Sequence, residues 1–260
     1  MTDFNGMAVL ITGAAGGFGR SAATLFAERG AKLMLSDFNG EGLAETADML
    51  RTDGVAVETL TGSVAEESHC AQTVEKCLSA FGRLDIAINN AGIGHAPAKT
   101  ADVDSRQAEL CVQINLMGVF YGMKAQIPPM EAAAKSDNRP ACILNVASLA
   151  GIGGAATMSM YAAAKHGVVG LTKSAALEYA RRGIRINCLC PSFARTAMVN
   201  DGLLAGQSGK DAEDMLTRGI PMRRLAEIEE ITRSMLWICD PANSFMTGQA
   251  VALDGGTSAM

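Results

Sequence analysis

Ala8-Val9-Leu10-Ile11 runs straight into Thr12-Gly13-Ala14-Ala15-Gly16-Gly17-Phe18-Gly19. A short, unbroken apolar run of this kind reads as a strand buried on both faces, and the glycines after it read as a tight turn opening a helix. The spacing places that helix from about Arg20 to Arg29. Gly13 would make the sharp bend, Gly17 would let backbone approach a diphosphate, and Gly19 would let helix and strand pack closely, with Gly16 and Phe18 completing the loop. A diphosphate would sit at the helix N-terminus, where unpaired N–H groups and the dipole favour negative charge. The pattern Gly13-x-x-x-Gly17-x-Gly19 is not the G-x-G-x-x-G fingerprint, so the turn alone is also compatible with an ordinary strand-to-helix connection.

The same alternation continues outward from this turn. Lys32 to Ser36, Val55 to Leu60, Asp85 to Ile88, Ala141 to Val146 and Ile184 to Leu189 read as strands. Between them, Glu41 to Arg51, Glu66 to Phe81, Ser105 to Lys124 and Tyr161 to Tyr179 read as helices, and Met130 to Pro140 as a polar surface excursion. Apolar strands separated by helices predict an α/β, Rossmann-like, doubly wound and mostly parallel sheet with helices on both faces. No Pro-, Gly- or Ser-rich linker divides the chain, so residues 1–260 are expected to form a single domain.

Composition narrows the function classes. The 260 residues carry 22 Lys and Arg against 27 Asp and Glu, a formal net charge of −5, with no basic block, which argues against nucleic acid as a partner. No apolar run approaches the about 20 residues a membrane helix needs, and the first residues lack a signal-type pattern, so a cytoplasmic location is expected. Cys70, Cys77, Cys111, Cys142, Cys188, Cys190 and Cys239 are scattered without zinc-type pairing. Cys188 and Cys190 would share a strand face as a redox or metal pair, or as reduced thiols packed like small hydrophobes, and the second reading is preferred. No metal is expected, since His69, His95 and His166 have no partners at ligand spacing.

Asp37 ends the second strand, where a carboxylate accepts hydrogen bonds from both hydroxyls of an adenosine ribose. It would repel a 2′-phosphate, and neither Ser36-Asp37-Phe38-Asn39 nor Gly16 offers a cation to hold one. The expected cofactor is therefore NAD. Tyr161 and Lys165 stand four apart on a predicted helix and share one face. A tyrosine hydroxyl ordinarily titrates near about 10, and an ammonium within a few ångströms together with a positive nicotinamide ring would lower that value. The phenol would then exchange a proton with an alcohol as hydride moves. Ser148 stands just past the end of a strand, where its hydroxyl would orient the reacting oxygen.

Taken together, Thr12-Gly13-x-x-x-Gly17-x-Gly19, Asn89-Asn90-Ala91-Gly92, Asn115, Ser148, Tyr161-x-x-x-Lys165, Pro191 and the Thr247-Gly248-Gln249…Asp254-Gly255-Gly256 ending resemble the short-chain dehydrogenase/reductase family over the whole chain. The resemblance implies that Asn115 is a fourth catalytic residue, bending its helix and holding a water in a relay to Lys165. It implies that Asn90, Ala91 and Gly92 line the adenosine side, that Ser63 and Val64 contact adenine, and that Pro191 to Thr196, including Ala194, hold the nicotinamide carboxamide. It implies a homotetramer, with Met117-Gly118-Val119-Phe120 and Val168-Val169-Gly170-Leu171 as candidate apolar faces. Where the family usually has Asp and Gly, this chain carries Ser63 and Ser192.

The expected substrate border comprises Ser148, Ile152, Met158, Tyr161 and Phe193, with Gly94-His95-Ala96 nearby. Residues 193–221 carry Met198, Val199, Leu203, Leu204 and Met215 among Gly202, Gly206 and Gly209, a pattern suited to a lid over an apolar pocket. These features predict a hydrophobic, cyclic or bulky secondary alcohol or ketone. Arg195 and Arg223 would instead favour an anionic substrate. The alternatives are a 3-oxoacyl thioester reductase and a non-catalytic dinucleotide sensor or scaffold.

Overall fold

The structure, a computed structural model, describes residues 3–137, 139–196, 199 and 210–260. Seven strands form one sheet: β1 (Ala8–Thr12), β2 (Lys32–Asp37), β3 (Val57–Thr61), β4 (Ile86–Asn89), β5 (Ala141–Val146), β6 (Ile184–Pro191) and β7 (Ala250–Leu253). Their order is β3-β2-β1-β4-β5-β6-β7, and every neighbouring pair runs parallel. The order reverses between β1 and β4, and the crevice at that reversal is where doubly wound sheets bind ligands.

Period-two alternation distributes each strand between two cores. Val9 and Ile11 of β1 pack with Phe26, Leu43 and Ile231, whereas Ala8 and Leu10 pack with Val74, Ile127 and Val168. The first set belongs to α1 (Gly17–Ala27), α2 (Gly40–Thr52) and α8 (Ile228–Cys239). The second belongs to α3 (Glu67–Phe81), α5 (Gly118–Asp137) and α6 (Ser159–Tyr179). Burial on both faces is what the continuous apolar strands require.

Three elements differ from the sequence expectation. First, α1 starts at Gly17, so the last glycines of the turn already lie in its first turn. Second, the helix expected from Ser105 to Lys124 is interrupted: α4 (Ser105–Val112) gives way to a π segment, Gln113–Met117, before α5 continues. Third, α5 runs on to Asp137, so most of the expected surface excursion is helical. Pro128 and Pro129 inside it each lack an N–H donor, but Ile127 and Met130 on either side are buried and hold the helix in place. Helix α8 escaped the sequence reading altogether; a capping box between Glu227 and Glu230 starts it.

A buried polar chain ties the middle strands together. Gln126 Nε2 donates to Asn89 Oδ1 at 2.8 Å, Asn89 Nδ2 to Asn145 Oδ1 at 2.9 Å, and Asn145 Nδ2 to Thr172 Oγ1 at 2.9 Å. Because its members satisfy one another, it fixes the register of β4, β5 and the helices over them at little desolvation cost. Of the apolar faces expected to meet another subunit, Val119, Val168 and Val169 are buried in this chain's own core, while Phe120 remains exposed. Among the described residues no helix is long and apolar enough to cross a membrane.

Candidate active site

The residues singled out in the sequence gather at the carboxyl edge of the sheet, following β1, β2, β3, β4, β5 and β6 in turn. Gly13 leaves β1 with φ +71°, and a Cβ there would lie 2.7 Å from Asn90 Nδ2. A Cβ on Gly19 would collide with the Gly13 carbonyl oxygen, so the first turn of α1 rests directly on the loop backbone. The N-terminus of α1 has no side-chain cap and no acidic residue in its first turn, leaving its N–H groups and positive dipole end suited to an anion.

The turns after β1 and β4 are fastened to each other. Thr12 Oγ1 accepts from the N–H groups of Asn90 (3.1 Å) and Ala91 (3.2 Å), and Asn90 Nδ2 donates to the carbonyls of Thr12 (2.9 Å) and Gly13 (3.1 Å). At the end of β2, Asp37 Oδ2 accepts from Ala15 N–H and Oδ1 from Asn39 N–H, both at 2.9 Å. Phe38 beside it is 77% exposed. Ser63 Oγ accepts from Ala65 N–H at 3.2 Å, and Val64 packs where a Cβ on Gly118 would come within 2.7 Å.

Across the crevice, Ser148 follows β5 and accepts from Ala150 N–H at 3.1 Å. The Ser148 hydroxyl lies near enough to the Tyr161 phenol to act on its titration. Lys165, one turn along α6, is 3% exposed; its ammonium donates to the Val146 carbonyl at 2.7 Å and stands 5.7 Å from the centre of the Tyr161 ring. Burial lowers the lysine to about 8, with nearby thiols opposing the shift. Burial raises the Tyr161 phenol above its ordinary value, while the neighbouring Ser148 hydroxyl pulls it down.

Asn115 sits fully buried at the centre of the π segment. Its Oδ1 accepts from Ile93 N–H at 3.1 Å, and its Nδ2 donates to the carbonyls of Ile93 and Cys111, both at 2.8 Å. The Asn115 side chain is thus committed to backbone, pinning the segment after β4. Gly92 lies against both partners: a Cβ there would be 2.7 Å from Asn115 Oδ1 and 3.4 Å from Lys165 Nζ.

The residues expected to border a substrate are apolar, and the backbone near them is partly strained. Ile152 is partly exposed, Met158 and Phe193 are half-buried, and a Cβ on Gly94 would meet Met158 Cε at 3.2 Å. Thr157, just before α6, holds φ +65°, a left-handed conformation that costs a β-branched residue about 1–2 kcal/mol. Pro191 closes β6, and Ser192 after it keeps an ordinary negative φ, so glycine is not needed there. Ala194 bridges to Ala226, and the methyl of Thr196 lies 3.9 Å from where a Cβ on Gly17 would stand.

Of the expected lid, Met198, Gly202, Leu203, Leu204, Gly206 and Gly209 lie outside the described residues. Val199 is buried, and Met215 on α7 (Lys210–Thr217) is exposed. Arg195 is paired with Glu213 (2.7 Å) and Glu227 (2.9 Å), which weakens the anionic-substrate alternative. All seven cysteines are buried free thiols, and no cluster of three or more His, Cys, Asp or Glu is placed to hold a metal among the described residues.

Sequence reasoning quoted Thr12 without giving it a role and passed over Arg20. Arg20 anchors the glycine turn to α2, and only its position immediately after the last glycine marked it.

Comparison with known proteins bears on the family and the fold. A family model described as enoyl-(acyl carrier protein) reductase matches residues 13–258. The chain is 35% identical over 252 residues to a cyclohexanol dehydrogenase of Acinetobacter sp. (strain SE19), covering 97% of this chain and 95% of the relative. A levodione reductase crystal structure superposes with a TM-score of 0.93 at 34% identity, over 98% of this chain and 99% of that one. Carveol dehydrogenase from Mycobacterium avium in complex with NAD gives a TM-score of 0.93 at 26% identity, with both chains covered completely, 100% and 100%. With the fold, the glycine turn and the Ser148–Tyr161–Lys165 arrangement in place, the chain belongs to the short-chain dehydrogenase/reductase family of oxidoreductases.

Proposed function

We propose that this protein transfers hydride reversibly between NAD(H) and a hydrophobic secondary alcohol or ketone, cyclic or otherwise bulky, with Tyr161 as acid and base. The observation that carries the reading is the buried Lys165 ammonium 5.7 Å from the Tyr161 ring and tied to the end of β5, where Ser148 follows.

The residues at the carboxyl edge fit a dinucleotide. Gly13 and Gly19 keep the loop backbone bare where side chains would collide, and the uncapped start of α1 suits a diphosphate. Asp37, already holding the loop, has lone pairs left for ribose hydroxyls, and its charge disfavours a 2′-phosphate. NAD bound there would accept or supply the hydride. The chain's own residues handle the proton. In reduction, Tyr161 is protonated and donates to the carbonyl oxygen, while Ser148 holds that oxygen with a second hydrogen bond. In oxidation the phenol must lose its proton first, and the Lys165 ammonium and a positive nicotinamide ring are the two charges that favour this.

Support for a ring-bearing substrate comes from the apolar border of Ile152, Met158 and Phe193 and from the names of the similar proteins, a cyclohexanol dehydrogenase, a levodione reductase and a carveol dehydrogenase. The test is a screen by nicotinamide absorbance with NADH and NADPH against alicyclic, aromatic, steroid and acyl-thioester carbonyls, alongside Tyr161→Phe. The expected result is NADH-dependent reduction of an alicyclic ketone, lost in Tyr161→Phe while NADH binding persists. Preferential turnover of acyl thioesters would replace the substrate class, and near-normal turnover by the variant would remove Tyr161 from its role.

A further inference from the structure

Arg20 leaves the first turn of α1 and reaches across to α2. Its Nη2 donates to the Ala15 carbonyl at 2.7 Å, to the Gly42 carbonyl at 3.1 Å and to Glu45 Oε2 at 2.9 Å. Its Nε donates to Thr46 Oγ1 at 2.8 Å, and that buried hydroxyl in turn reaches the Ala14 carbonyl at 3.0 Å. Ala15 is therefore gripped from both sides, its N–H by Asp37 and its carbonyl by Arg20. The close approach of α2 is built in, since a Cβ on Gly42 would meet the Ala15 carbonyl oxygen at 3.0 Å and Ala15 Cβ at 3.1 Å.

We infer that Arg20 is a positioning residue for the dinucleotide: by holding the Ala15 carbonyl toward α2 it fixes the direction of the next N–H in the glycine turn. The peptide joining Ala15 to Gly16 is planar and trans, so its C=O and N–H point opposite ways. Anchoring the carbonyl to α2 turns the Gly16 N–H away from α2, and Gly16 is where the backbone is bare, with nothing within 4 Å of a Cβ built there. Arg20 acts through this peptide and is not itself a phosphate ligand. Its guanidinium is spent on two carbonyls, a hydroxyl and the Glu45 carboxylate, which also opposes its charge. A lysine could not replace it, because a single ammonium cannot span this set of acceptors.

The inference rests on the dinucleotide reading proposed above, and the experiment separates the two. NADH affinity is measured by fluorescence titration, with KM, kcat and thermal midpoint, for the wild type, Arg20→Met, Arg20→Lys and Gly42→Ala. Arg20→Met is expected to weaken NADH binding and raise its KM about tenfold, with kcat at saturating NADH within about twofold of wild type. Arg20→Lys should recover only part of that loss, and Gly42→Ala, which pushes α2 off the turn, should reproduce it. If Arg20→Met fails to fold, Arg20→Lys and Gly42→Ala decide by the same split. Wild-type affinity in these variants overturns the inference, as does a fall in kcat and thermal midpoint matching the loss of affinity, the mark of a merely structural arginine. A wild-type protein that binds neither NADH nor NADPH would instead sink the dinucleotide reading.

Discussion

Gly92 is the point where the turn after β4 touches Asn115 and Lys165 of the proposed proton-transfer site, and replacing it with alanine tests how tightly that contact is set. Its φ is not in the left-handed region, so the backbone admits alanine. The added methyl would stand 2.7 Å from Asn115 Oδ1, short of a comfortable contact by about 0.5 Å or more. Asn115 cannot swing away freely, because three hydrogen bonds of 2.8–3.1 Å hold its amide to Ile93 and Cys111. Overpacking of this kind costs about 1–3 kcal/mol. Strain left in place appears as stability, about 2–4 °C of thermal midpoint per kcal/mol for a chain of this size. Strain relieved by moving Asn115 and the neighbouring Lys165 appears in kcat, about tenfold for each 1.4 kcal/mol. Gly92→Ala should therefore lose about 10- to 100-fold in kcat, or several degrees of thermal midpoint, or a share of each. Calorimetry and steady-state kinetics at saturating cofactor measure both. A variant matching the wild type on both axes would show that Asn115 is not locked, and the account of the π segment as a rigid anchor would fail.

Other perturbations follow from the same geometry. Asp37→Ala removes the charge facing the ribose and also releases Ala15 N–H, so KM for NAD should rise and the NAD/NADP preference in kcat/KM should shrink; an unchanged ratio would remove Asp37 as the discriminator. For Lys165, burial depresses the folded-state value to about 8 from 10.5, so between those limits the unfolded chain holds the extra proton. Wild-type stability should accordingly rise relative to Lys165→Met as pH increases from about 8 to 10.5, which melting curves across that range will show, and parallel curves would contradict the buried charge. Alcohol oxidation should climb with pH because the Tyr161 proton is held above its usual range, and a flat rate profile from neutral to alkaline pH would count against the phenol as base.

How much of this was visible in the amino-acid order depends on the physics of each element. The strands were legible because burial on both faces demands unbroken apolar runs, as in Ala8 to Ile11 and Ala141 to Leu144. Helix α8 was not, although its buried Ile231, Met235 and Leu236 recur at helical spacing, because it opens on Glu227 rather than on the Ser, Thr, Asp or Asn that signals a helix start. Pro128 and Pro129 forfeit helical bonds that tertiary burial of Met130 outweighs, a balance no local signal reports. The catalytic side chains could be named from spacing, but their electrostatics could not: the Lys165 bond to Val146 joins a helix to the end of a distant strand. The Asn89–Asn145–Thr172 chain is hidden for the same reason, since amides inside strands read as interruptions until their partners meet.

The bond from Thr12 to the backbone after β4 has a consequence for redesign. It makes the proposed nucleotide grip and proton chemistry share one seam at the middle of the sheet, so substitutions at Thr12, Gly13 or Asn90 should disturb both at once. Asp37 and Phe38 lie one strand further out, off that seam. An engineer wishing to swap the coenzyme while sparing turnover should therefore work at the outer rim and leave the central joint untouched.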